Sequence, residues 1–412
     1  MEKISLKDRE ILRKIALRKA MLAHSARNDE ILAMWHKQAK GVRDTPTVRL
    51  LFSNFKKEVL DARLLCEGTD ARKLERELLS FMVGRELFND DTPVSDTFDV
   101  NLFATVNPFG TSPNLVRAKD SNGYHIEPVT DDIEEDIALF RGGTFSVDLE
   151  GTKAWCAYAD EIFGDILPSR ITMPSLTGMI TNPLVKLINM ETYYMSMYDC
   201  PEALHEIMEM ATTVYERYYD YLEEQKLLLP TNGLARLNQE SFCFTDELPM
   251  SGEIASTKQT WGFLESQEST AVSPEMFGEF VYPYQDRLVK RYGLLSYGCC
   301  ERVDAIWEDY LSKWANLRKL SVSPFNNEQQ IGEYLRGSRV VYYSKPRAEY
   351  VTNVGSLDEE AIRKYFKGVC EAASGCLFEV AQREVGTIYG DYERGRRYVE
   401  LARESIAKYW KP

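Results

Sequence analysis

The chain is poor in histidine and short of positive charge. Four histidines, at positions 24, 36, 125 and 205, are scattered through 412 residues, and none stands in an HxH, HExxH or HxxxH pattern. That argues against a histidine-rich metal site and against a Ser-His-Asp triad. Lys and Arg number 50 against 64 Asp and Glu, giving a formal charge of −14. Nucleic acid and anionic bilayers both need a cationic face to exchange for counterions, so neither is an expected partner. No apolar stretch approaches the ~18 residues of a membrane span. Residues 1–14 (MEKISLKDREILRK) alternate charged and apolar side chains without the apolar run of a secretory signal, and a cytoplasmic location is expected. Eight cysteines are too sparse for a disulfide scaffold. Neither GxGxxG nor GxxxxGK[ST] occurs, so the usual nucleotide cradles are missing as well.

What is present reads as a folded, enzyme-sized protein with 44% hydrophobic residues. The first 90 or so residues read as helices: Ile4, Ile11, Leu12 and Ile15, then Ile31, Leu32 and Trp35, then Leu74, Leu78 and Met82 recur at three- and four-residue steps. The polar stretch 89–96 (NDDTPVSD) marks a boundary, dividing a helical extension, 1–95, from a main domain, 96–412. Beyond it the pattern predicts strands at 98–106, 171–176, 227–231, 261–267, 293–299, 317–323, 340–345 and 377–383. Helices alternate with them. Asp199 with Glu202 opens one, Ser273 and Pro274 cap another, Ser356 with Glu359 forms a capping box, and Gly390–Asp391 precedes the last. Residues 107–169 read as a long loop or excursion. Eight strands alternating with helices predict an α/β fold, a parallel sheet closed into a (β/α)8 TIM barrel, with an open doubly wound sheet as the alternative.

In such a barrel, chemistry sits where strands end, and alternation decides which side chains point inward. Placing Phe378, Val380, Leu320, Val322 and Leu264 outward against helices leaves Glu379, Arg383, Ser321, Ser323, Phe263, Glu265 and Gln267 inside. One register of 293–299 adds Leu295, Tyr297 and Cys299, and Lys345 ends its own strand before Pro346. Each has a plainer reading. Glu379 with Arg383 makes a self-satisfied ion pair, Lys345 projects to solvent or holds Glu265, and Glu268 is a surface charge. The sharpest local feature is Tyr297-Gly298-Cys299-Cys300-Glu301. Two soft thiolates and a carboxylate suit zinc, with Glu265 and Glu268 as further ligands; the competing reading is a pair of packed thiols at a tight turn. Cys376 falls at the start of its strand and reads as core, and the helix bearing Tyr215, Tyr218, Tyr219 and Tyr221 reads as packing plus surface.

The segment WGFLESQESTAVSPEMFGEFVYPYQDRLVKRYGLLSYGCCERVD (261–304), with SQE (266–268), VSPEMFGEF (272–280), YGCCE (297–301), NLRKLSVSP (316–324) and GTIYGDYERGRRYVELARE (386–404), resembles the uroporphyrinogen decarboxylase-like superfamily. More narrowly, it resembles the branch from anaerobic bacteria related to corrinoid-dependent methyltransferases. The resemblance covers 96–411, and the helical extension looks like that of the branch's longer members. It implies the same barrel fold. Nothing matches the MRQAGRY-like motif of true porphyrinogen decarboxylases, which disfavours that activity. The corrinoid methyltransferases carry zinc on an HxC motif and a later cysteine. Cys299 matches the cysteine of HxC, Tyr297 stands at the histidine, and Gln382-Arg383-Glu384 stands where the later cysteine falls.

The resemblance therefore implies a methyltransferase that passes a methyl group from a small O- or N-methylated donor to the cobalamin of a separate corrinoid protein. The expected metal ligands are Cys299, Glu268 and Glu384, holding zinc as a Lewis acid, with metal-free transfer also open. Glu265, Tyr297 and Arg383 are the expected catalytic groups, and Gln267, Ser323, Lys345 and Glu379 the expected substrate-binding ones. A homodimer is expected too. Two alternatives stand beside it. One is a decarboxylase or lyase acting on a small carboxylate held by Lys345 and Arg383; the other is a non-catalytic ligand-binding barrel.

Overall fold

The computed structural model describes residues 1–117 and 124–412; part of the 107–169 excursion, residues 118–123, lies outside the described residues. The strands in chain order are β1 (Thr47–Leu50), β2 (Phe98–Asn101), β3 (Phe103–Asn107), β4 (Asn114–Arg117), β5 (Tyr124–Glu127), β6 (Thr144–Asp148), β7 (Ser169–Thr172), β8 (Leu176–Thr177), β9 (Gly233–Arg236), β10 (Phe242–Cys243), β11 (Trp261–Leu264), β12 (Leu294–Tyr297), β13 (Leu317–Val322), β14 (Val341–Ser344) and β15 (Leu377–Gln382). The principal sheet has seven strands in the order β1-β15-β14-β13-β12-β11-β8, all parallel. Strands β11 to β15 are both consecutive and adjacent, because a helix-bearing segment returns the chain to the same end before each new strand. The fold is thus α/β, as the alternation predicts. Among the described residues the hydrogen-bonded ladder ends at β1 on one side and β8 on the other.

The two faces of this sheet bury different partners. Leu264, Leu295, Leu320, Tyr342, Phe378 and Val380 face the helices in the main apolar core. The opposite face is covered by the helix Ala26–Ala39 and by the antiparallel β9–β10 hairpin. Trp35 packs on Phe242 and Phe244, Trp261 donates its Nε1–H to the Cys243 carbonyl at 3.0 Å, and Gln38 donates to the Phe378 carbonyl at 2.9 Å.

Several expectations are corrected. Residues 1–95 are not helical throughout: β1 lies within them and pairs with β15 from Thr47↔Glu379 to Leu50↔Gln382. The predicted strand 98–106 is two strands with different partners, β2 on β7 and β3 on β6. The segment 171–176 is likewise split between β7 and β8. Residues 227–231 form no strand; Leu228 is apolar because it is buried in the helix-side core, and Pro230 cannot donate to a ladder. The excursion 107–169 carries hairpins and the helix Leu149–Phe163. The helix Pro201–Glu224 starts on Pro201, without a side-chain cap. Asp358, not Ser356, caps Glu359–Ala372, whereas Ser273 and Asp391 cap the helices they were assigned.

Candidate active site

Where β11, β12, β13, β14 and β15 end, five loops bring polar groups together. Glu265 is the first residue past β11 and is 1% exposed. Its Oε2 accepts a hydrogen bond from the Gln267 amide at 3.0 Å, and its Oε1 is buried with no partner. Burial, then the negative charges of Glu268 and Glu301, push its carboxyl well above the usual carboxylate range. Glu265 therefore favours its neutral form more than an ordinary carboxyl does, and one of its oxygens is without a partner.

The turn after β12 is built around Gly298, at φ 97°, where an added Cβ would stand 3.2 Å from that of Ser321. This turn lets the Glu301 carboxylate fold back and accept from the Ser266 amide at 2.9 Å and the Cys299 amide at 2.5 Å. Burial raises Glu301 as well, against those two hydrogen bonds. The Cys299 and Cys300 sulfurs are 3.7 Å apart. The contact between them raises the Cys299 thiol and brings the more exposed Cys300 down to about 7.

Lys345 follows β14 and donates to Gln239 Oε1 at 3.0 Å and the Cys299 carbonyl at 3.2 Å. Burial brings its ammonium down to about 8, opposed by the nearby thiols. Arg383 follows β15. Its Nε and Nη1 are buried without partners, and its Nη2 lies 3.5 Å from Glu384. Gln239 and Glu240 close this edge with φ of 65° and 67°, a conformation that non-glycine residues keep only where surroundings enforce it. The Tyr343 hydroxyl enforces it in part by donating to the Gln239 carbonyl at 2.7 Å.

The structure thus gathers Glu265, Gln267, Cys299, Lys345 and Arg383 at one edge, and disperses the other expected residues. Tyr297 points the opposite way, into the helix layer, where its hydroxyl donates to Gln285 at 3.2 Å and its ring meets Trp314. Leu294 and Ser296 take the inner face instead, so the predicted register of 293–299 is reversed. Glu379 lies mid-strand, paired with Lys319 at 2.8 Å and bonded to Ser241, not with Arg383. Ser323 is used up by the turn, donating to the Cys300 carbonyl at 3.0 Å and accepting from Asn326 at 2.9 Å. Glu268 is not on the surface: it is buried, with one oxygen taken by Thr181 at 2.8 Å and the other by Asn182 at 2.7 Å. Sequence reasoning missed Gln239, which sits in an irregular loop with no periodicity to mark it.

The same geometry tests the expected zinc ligands. Cys299 Sγ faces Cys300, both Glu268 oxygens are engaged, and Glu384 is half-exposed and bonded to Asn54 at 3.0 Å. Among the described residues no three His, Cys, Asp or Glu side chains converge as a metal site requires. The donor set does not fit the ion.

Among the described residues no helix is long and apolar enough to cross a membrane. No protein-family model and no curated protein matches this chain. In three dimensions it is similar to a methyltransferase from Methanosarcina mazei, with a TM-score of 0.51 and 12% identity, over 91% of this chain and 98% of that one. At that identity the likeness is one of fold.

Proposed function

We propose that this protein is a methyltransferase that takes a methyl group from a small O- or N-methylated donor and passes it to the corrinoid of a partner protein. The observation that carries the reading is Glu265, a buried carboxyl at the carboxyl edge of a parallel sheet with one oxygen unpartnered, its pKa pushed up by burial. The likeness over nearly the whole of both chains to a methyltransferase supports it. So do Phe325, Val354 and Tyr389, apolar side chains more than half exposed on the loops after β13, β14 and β15, which suit a docked partner.

The reading includes a closed barrel. β8 follows β7 after three residues and β7 pairs with β2; in this reading β2 and the interrupted strand β7–β8 fill the arc between the two ladder ends. With β1 and β11 to β15 that makes eight strand positions.

The corrinoid, when presented, supplies the nucleophile that accepts the methyl group. This chain supplies the proton. As the carbon–oxygen bond of a methyl ether breaks, Glu265 Oε1 gives its proton to the departing oxygen, leaving an alcohol and a carboxylate. Lys345, whose charge is felt at Glu265, stabilises that carboxylate until solvent returns the proton. Gln285, donating to the Glu265 carbonyl at 3.0 Å, and the Gln267 amide fix the carboxyl in place. Arg383, with two unpaired N–H groups, orients the donor.

The test supplies free reduced cobalamin in place of the partner's corrinoid, with a panel of methyl ethers and methylamines, and follows methylcobalamin by absorbance. Transfer from at least one donor is expected, slowed about 10²- to 10⁴-fold by Glu265→Gln. No transfer from any donor would sink the reading.

A further inference from the structure

A second feature lies beside this edge, where β1 ends. A cavity of about 420 Å³ opens between β1, the helix Thr69–Ser80 and the loop after β9, within the range that admits a small organic molecule. Arg49 and Arg236 both reach its wall, their guanidinium groups 4.5 and 4.2 Å from the centre of the Phe242 ring. Arg49 is anchored: it donates to Thr92 Oγ1 at 3.2 Å and to the Glu240 carbonyl. Arg236 is not. Its guanidinium makes no hydrogen bond or ion pair to the protein among the described residues, and the residue, partly exposed, lines both this cavity and the neighbouring one that Phe242 borders.

The acids nearby are engaged elsewhere or turned away. Asp99 is bound to Arg170 at 3.0 Å through each oxygen, Asp90 accepts from the Leu50 and Thr92 amides, and Arg49 meets Glu240 at its backbone carbonyl, not at its carboxylate. Burial, and the charge of Arg49 beside it, bring Arg236 down to about 10. A partly buried guanidinium with five N–H donors and no protein acceptor has those donors left for a ligand in the cavity.

We propose that this cavity is a binding site for a small organic carboxylate, held in a fork by Arg236 with Arg49 adding charge. A carboxylate with an apolar body fits better than inorganic phosphate, because Leu51, Phe52 and Phe81 line the cavity beside its charged side chains, which include Lys56 and Arg76 as well as Glu77 and Glu240. The loop carrying Gln239, which holds Lys345, forms part of the wall, so an occupant touches a residue of the rim. The site does not depend on the methyl-transfer reading, and its test uses neither donor nor corrinoid.

The experiment is calorimetric titration of the full-length protein with benzoate at constant ionic strength, repeated in the presence of inorganic phosphate. Saturable benzoate binding is expected, weakened at least about tenfold by Arg236→Gln and by less in Arg236→Lys, which keeps the charge but loses the fork. Circular dichroism confirms that each variant is folded, and if the Gln variant is not, the Lys variant decides. No saturable binding by the wild type, or equal binding by the variants, would overturn the site. Phosphate competing as well as benzoate would overturn the carboxylate assignment.

Discussion

Lys319 and Glu379 lie on the inner face of the sheet, midway along β13 and β15, and their polar atoms answer one another. The Lys319 ammonium is 2.8 Å from Glu379 Oε2 and 2.6 Å from Ser241 Oγ, and Ser241 donates to Glu379 at 2.7 Å. At the carboxyl edge of the same sheet Glu265 and Lys345 are nearly as buried and Arg383 is mostly so, yet Glu265 keeps a bare oxygen and Arg383 two bare nitrogens. Burial and charge alone therefore do not separate structural from chemical groups. Completeness of the hydrogen bonding does. A closed triangle has nothing left to offer a ligand, whereas an orphaned donor or acceptor at a strand end is a cost that a substrate can remove.

Breaking the closed group gives the largest expected effect on folding. Lys319→Met leaves Glu379 buried and uncompensated, which costs about 3–5 kcal/mol. Adding Glu379→Gln recovers most of it, because an amide can still bond Ser241. Denaturant unfolding of the single and double variants measures both, and a single-variant loss under about 1 kcal/mol would erase the distinction. The open group responds in the other direction. Glu265→Gln removes an acid that burial and two neighbouring carboxylates disfavour as an anion, so its unfolding midpoint is expected not to fall even though methyl transfer is lost.

The same contrast has a pH signature. The folded Glu265 carboxyl titrates well above its ordinary value of 4.5. Its contribution to stability is full below 4.5 and is lost as pH rises toward the folded value, since the unfolded chain has already given up the proton. Each pH unit in that window costs the wild type about 1.4 kcal/mol relative to Glu265→Gln. Thermal unfolding of the two proteins from pH 4.5 to 8 should show curves that diverge with rising pH. Parallel curves would mean that Glu265 is already ionised at 4.5 and is no proton donor.

How far this was legible follows from the strands themselves. β11, β13, β14 and β15 alternate with helices, and in β13 and β15 the apolar residues of one parity, Leu320 and Val322 or Phe378 and Val380, declare the helix side. Residues just past such strands, Glu265, Lys345 and Arg383, could then be placed at the edge from sequence. β1 could not, since four residues between helices carry too little pattern. The closed triangle was half-visible. Glu379 was placed inside, but pairing it with Lys319 needs β14 to lie between their strands, and Ser241 comes from a loop with no period. Gln239 is invisible for the same reason, and Arg236 ends β9, four residues too short to carry a pattern.

Tyr297 shows where alternation fails. β12 reads Leu-Leu-Ser-Tyr, and Leu294 and Leu295 are both buried on opposite faces, so neither parity is marked as the helix side. The pairing of β12 with β13 also shifts register between Leu295 and Ser296. The residue skipped there is Arg318 of β13, so β12 itself alternates without a break, and Leu295 and Tyr297 share the helix side. Tyr297→Phe tests that placement with the smallest expected effect. The variant keeps the ring against Trp314 and loses one buried hydrogen bond to Gln285, a cost of about 1 kcal/mol. Methyl transfer should stay within about twofold of the wild type, because a hydroxyl on the helix side cannot reach what Glu265 protonates. A hundredfold loss of rate with the fold intact would return Tyr297 to the catalytic edge and reverse the assignment of the two faces of β12.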